Sequence, residues 1–131
     1  AEGGILMSVE TELRGALTGN GAVAALVGTR VYPVVLPQNP TLPAIVYQEL
    51  RTGTVVASDG DTGLREGRWQ LSLWGASYPA VKGLRDAVVG AVNGYAGGVV
   101  QRVGIDAMRD DYDPETLWWR QVVEVVVHSF E

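Results

Sequence analysis

The chain has 131 residues, 47% of them hydrophobic and 19% charged, with a net charge of −5. That balance describes one folded domain long enough to bury a core, and it argues against disorder and against a surface built for nucleic acid. With no cysteine in the chain there is no disulfide, thiolate nucleophile or zinc–thiolate site, and no apolar run approaches a membrane span.

Taken in order, Ala1–Met7 lacks the basic start and the apolar length of a signal peptide and reads as a flexible extension. Ser8 opens a helix to Thr18: its hydroxyl can cap, Glu10 and Glu12 suit the positive end of the dipole, and Val9, Leu13, Ala16 and Leu17 share a face. Gly19-Asn20-Gly21 stops it, and Ala22–Val27 is a short apolar segment of helical character. Arg30–Val35 reads as a short strand. Pro37, Pro40 and Pro43 then deny the backbone donors a ladder needs, so this stretch crosses the surface or an edge. Ala44–Arg51 resumes as a strand. From Thr52 to Gly67, glycines and aspartates make a stretch too long for a tight hairpin, which reads as a long loop around an apolar pair, Val55-Val56; this predicts a mobile arm that docks on something.

Leu64–Tyr95 organises the rest. Trp69, Leu71 and Leu73 alternate with Arg68, Gln70, Ser72 and Trp74, the period-two pattern of a strand with two unlike faces. The period then changes. Ser77 can cap a helix, Pro79 fits its first turn, and Val81, Leu84, Val88 and Val92 recur at helical spacing until Gly94. Val99–Met108 and Leu117–Phe130 read as two further strands joined at Asp113-Pro114-Glu115-Thr116, a type I turn. In the last strand Trp119, Val123, Val125 and Val127 share one face, while Arg120, Val122, Glu124, Val126 and His128 share the other. The expected architecture is α+β: a two-layer sandwich, mainly antiparallel, with two helices packed on one face of the sheet.

Candidate chemistry is thin. His128 is the only histidine, and no serine sits in a recognisable catalytic motif. Asp106, Asp110, Asp111 and Asp113 could hold magnesium or calcium, but aspartates around a hairpin turn are equally at home bonding local backbone. Asp59-Gly60-Asp61 resembles only a fragment of a calcium loop. No phosphate loop is present, and the four tryptophans lack the basic residues that would interleave them on a nucleic-acid surface. Nine of the ten basic residues are arginine, with Lys82 the exception. Arginine suits planar, partly desolvated contacts at interfaces, and a GC-rich genome produces the same bias.

Three blocks carry a resemblance. They are Leu26-Val27-Gly28-Thr29-Arg30-Val31-Tyr32-Pro33; Pro37-Gln38 with Leu42-Pro43-Ala44-Ile45-Val46-Tyr47-Gln48; and Arg68–Gly75 with Ser77-Tyr78 and Leu84-Arg85-Asp86-Ala87-Val88. In order and spacing they resemble the tail completion, or tail terminator, proteins of long-tailed double-stranded DNA bacteriophages and gene transfer agents, over roughly residues 8–130. The resemblance implies a single-domain structural protein of the virion tail or neck, made in the host cytoplasm, with no catalysis and no cofactor. It implies a homo-hexameric ring that caps the head-proximal end of the tail tube and stops its polymerisation. The implied partners are further copies of itself, the tail tube protein, and the head-completion or stopper protein of the connector; DNA would pass through transiently, and no membrane would be involved. Combined with the arm and the arginines, it makes Val55, Val56, Asp59, Asp61, Arg65, Trp74, Arg85 and Arg120 candidate assembly residues. The alternatives are a stopper protein of the same neck, a small metal-dependent hydrolase using the Asp106–Asp113 cluster, and a monomeric ligand-binding domain.

Overall fold

A computed structural model describes residues 8–57 and 60–130, without the side chains of residues 56, 57 and 60–62. The elements run α1 (Val9–Thr18), α2 (Gly21–Val27), β1 (Val31–Pro33), β2 (Ala44–Ala57), β3 (Gly60–Gly75), α3 (Tyr78–Val92), β4 (Val100–Asp113) and β5 (Trp118–Phe130). The strands form one sheet in the order β1-β2-β3-β5-β4. Only β1 lies parallel to its neighbour; the other pairings are antiparallel.

Local chemistry sets the helix boundaries. The Thr11 N–H donates to the Ser8 hydroxyl at 3.1 Å, the Ala22 and Val23 N–H groups to Asn20 Oδ1, and the Ala80 N–H to the Ser77 hydroxyl at 3.3 Å. Each cap satisfies donors that the first turn leaves open. Pro79 sits in the first turn of α3. Beyond its last turn Gly94 takes φ +79°, which a side chain would resist, and donates to the Val103 carbonyl at 2.7 Å.

The three helices cover one face of the sheet. Val9, Leu13 and Leu17 of α1, Val23 and Val27 of α2, and Leu84, Val88 and Val92 of α3 bury against Ile45, Tyr47, Trp69, Leu71, Leu73, Val123, Val125 and Val127. Each large side chain taken out of water contributes about 1.5–3 kcal/mol, so this layer is the main source of stability. Two tyrosines pin α1 from different sides: Tyr47 donates to Glu10 at 3.0 Å and Tyr95 to Glu12 at 2.9 Å. Both phenols are shifted upward, Tyr47 chiefly by burial and Tyr95 chiefly by its bond to Glu12.

Three expectations need correction. The stretch 52–67 is not a loop: β2 and β3 pair continuously through it, Thr52 opposite Gly67 and Ala57 opposite Gly60, with an irregularity between Thr54 and Val56. Threonine, valine and arginine tolerate the extended backbone that glycine content argued against. Chain reversal after Asp113 is wider than a type I turn, closed by the Leu117 N–H on the Asp113 carbonyl at 2.8 Å with Leu117 at φ +63°. Finally, β4 runs five residues past Met108, since its β5 partner continues beside it.

Both sheet edges are blunted as backbone. On β1, Arg14 reaches from α1 and donates to the carbonyls of Val31 and Thr29 at 3.4 and 3.5 Å. On β4, the register slips between Val100 and Arg102 and again between Ile105 and Ala107. Covered carbonyls and bulges are two ways of stopping an edge from recruiting another strand.

Candidate assembly surfaces

The sheet is longer than the helical layer, and this creates two ends. At one end β2 and β3 extend past β5, whose last partner on β3 is Leu64 opposite Phe130. Beyond that row the β2–β3 hairpin stands as a two-stranded arm. Val55 and Arg65 are half-buried on it, and Arg65 donates to the Leu64 carbonyl at 3.4 Å. The side chains of Val56, Asp59 and Asp61 lie outside the described residues. Below the arm, where β3 is paired on both sides, Arg51 and Arg68 face each other across the β2–β3 ladder, and Arg68 is compensated by Asp106 at 2.7 Å.

At the opposite end aromatic side chains interlock on both faces. On the helix-free face Trp74 meets Trp118 edge-on at 6.2 Å, and the Arg120 guanidinium lies 5.2 Å from the centre of the Trp74 ring. On the helix-bearing face Trp119 packs against Tyr112 at 4.6 Å and Tyr78 at 5.4 Å. The Trp118-Trp119 doublet is the signal for this arrangement: neighbours on a strand point to opposite faces, so one doublet serves both clusters.

The aspartates of the hairpin are engaged by this end of the molecule. Asp111 accepts from Arg120 Nε at 2.9 Å, and Arg120 also donates to the Ser72 hydroxyl at 3.3 Å. That guanidinium holds the Asp111 carboxyl below its ordinary range. Asp110 accepts from the fully buried Gln121 and from Tyr78, with Lys82 at 3.6 Å. Its carboxyl is also lowered, chiefly by the Gln121 bond, with burial opposing it and Lys82 and Tyr78 adding to the lowering. Arg85 completes the relay by donating to Gln121 Oε1 at 3.1 Å. Among the described residues no three histidine, aspartate or glutamate side chains gather as a metal site.

Trp74 and Arg120 are thus brought together on the helix-free face, Arg85 reaches Gln121 and through it Asp110 on the helix-bearing face, and the arm candidates stand at the other end. The sequence reading missed Gln121, Tyr112, Leu117 and the exposed pair Val34-Val35. Val34 carries φ +66°, and the Val35 N–H donates to the Pro33 carbonyl at 2.7 Å, a tight γ-turn that is costly for a β-branched residue. No short-range signal marks such a turn.

No curated protein sequence matches the chain. A chain in the virion of a native gene transfer agent particle has the same fold, with a TM-score of 0.77 and 16% identity over 95% of this chain and 96% of that one. The family model for tail completion protein gp17 matches residues 11–127. A match of that extent runs from the third residue of α1 to Val127 in β5, and on it the chain belongs to the tail completion protein gp17 family.

Proposed function

We propose that this chain acts by assembly and not by catalysis, as a ring, hexameric by family resemblance, that caps the head-proximal end of a tail tube. In that position it stops tube polymerisation and offers the head connector a surface, with DNA passing through its lumen. The observation that carries the reading is the family match over residues 11–127, which makes the chain a component of the virion tail. The two-ended shape suits it: an arm at one end, and at the other a cluster rich in the tryptophan, tyrosine and arginine that dominate protein interfaces.

In this reading Val55, Val56, Asp59, Asp61 and Arg65 meet the tube through the arm. Trp74, Arg85 and Arg120 brace the opposite end. The test replaces residues 54–63 with a short turn and measures binding to purified tail tubes by electron microscopy, with light scattering for solution mass. The arm-shortened protein is expected to keep its fold and lose terminal rings. Normal capping by that variant would overturn the arm's role, and binding to portal complexes in place of tubes would assign the chain to the stopper position instead.

A further inference from the structure

The two lateral edges of the sheet carry opposite charge. Residues 13–48 contain Arg14 and Arg30 and no acidic residue. Both arginines lie at the β1 edge with their guanidiniums on backbone carbonyls, Arg14 on Val31 and Thr29, Arg30 on Pro43 and Leu26. Among the described residues neither has a carboxylate partner. Exposed apolar side chains flank them: Leu26 at 41%, Val34 at 61% and Val35 at 68%.

The β4 edge is the complement. Residues 106–118 contain Asp106, Asp110, Asp111, Asp113 and Glu115 against the single Arg109, and of these Asp106, Asp110 and Asp111 are paired with Arg68, Lys82 and Arg120. The Asp113 carboxylate accepts from the Glu115 N–H, and neither it nor Glu115 has a cationic partner among the described residues. Met108, Tyr112 and Leu117 are exposed beside them.

The pairing register puts these edges at one height. Tracing one row across all five strands, Val31 leads through Ile45, Leu73 and Gln121 to Asp110. Two residues along, Pro33 leads through Tyr47, Leu71 and Val123 to Met108. At this level one edge carries Arg14 and Arg30 without carboxylate partners among the described residues, with Glu10 a turn earlier on α1 beside Val34, and the opposite edge carries the unpaired Asp113 and Glu115.

We infer that the occupant of each edge is the other edge of a second copy. The contact is head-to-tail, between Arg14, Arg30 and Val34 of one subunit and Met108, Asp113 and Glu115 of the next. A contact of unlike surfaces closes into a ring when the rotation allows, and equal height removes the rise that would make a helix. Covered β1 carbonyls and the bulges in β4 keep it a contact of side chains and not an extension of the sheet. The inference deepens the ring reading above by naming its subunit interface.

The chain's lack of cysteine makes the test clean. Val34→Cys and Met108→Cys are made singly and together, and a short bismaleimide is added across a concentration series while sedimentation follows the unmodified protein. The double variant is expected to give a ladder of covalent oligomers, and each single variant to remain uncrosslinked. Dimers from either single variant would mean a contact of like surfaces and would overturn the inference. So would an oligomeric wild type whose double variant gives no ladder, and that result leaves the ring reading standing. A wild type that stays monomeric at every concentration and on tail tubes removes both.

Discussion

Replacing Gly75 with alanine tests the junction on which the fold turns. Gly75 ends β3 three residues before α3, and a Cβ built there would lie 2.5 Å from Val81 Cγ1. Ordinary carbon contacts are about 3.5–4.0 Å, so one side must move by more than an ångström. Val81 is fully buried, and overpacking of this kind costs about 1–3 kcal/mol. Against it stands an unfolded-state gain of about 0.4–1 kcal/mol from losing a glycine. The net is a destabilisation of about 1–2 kcal/mol. At about 2.1 cal/mol/K of unfolding entropy per residue, that lowers Tm by roughly 4–7 °C for this chain. Calorimetry of Gly75→Ala, Val81→Ala and the double variant gives the decisive cycle. Because Val81→Ala removes the clashing methyl, the alanine at 75 should stabilise that background by about 0.4–1 kcal/mol, leaving a coupling of about 1–3 kcal/mol. Equal destabilisation in both backgrounds, or none in the first, would refute the steric account. The first turn of α3 also carries Tyr78, and Lys82 follows it, so the single variant should loosen their hold on Asp110.

Two further outcomes follow from the same geometry. Ser77→Ala should cost about 1 kcal/mol by freeing the Ala80 N–H, seen as a lower urea midpoint at unchanged slope; a midpoint equal to wild type would dismiss the cap. Asp111 is held low by Arg120, so the pair stabilises above the unfolded aspartate pKa of about 3.9 and is lost as pH falls through the depressed folded value. Arg120→Ala should therefore flatten the acid limb of the stability curve and raise the Asp111 titration midpoint by NMR, and an unmoved midpoint would count against the pairing.

The sequence was most legible where one local rule decided the outcome. The Ser8 and Ser77 caps, the alternation through Trp69 and Leu73 and the helical spacing from Val81 to Val92 all reappear in the structure, because burial and capping act over a few residues. The arm was misread because glycine content speaks to local flexibility, whereas strand pairing between Thr54 and Arg65 is a tertiary event. Gln121 was invisible for a related reason: its burial depends on Arg85, thirty-six residues earlier, and on Asp110 across the hairpin. Opposed edge charges could be counted in the chain, yet their common height exists only once five strands are in register.

The sealed edges bear on how errors would be handled during assembly. An exposed strand edge joins its neighbour through a row of backbone hydrogen bonds, which form with any chain and release slowly. Arg14 across the β1 carbonyls and the two slips in β4 deny that route. What remains is contact between charged and apolar side chains, individually weak and screened by salt. A subunit that arrives in the wrong orientation then leaves quickly, and only a set of contacts satisfied together is long-lived. Reversibility of this kind lets an oligomer be proofread as it forms, and it predicts that moderate salt should speed exchange between subunits well before it unfolds any of them.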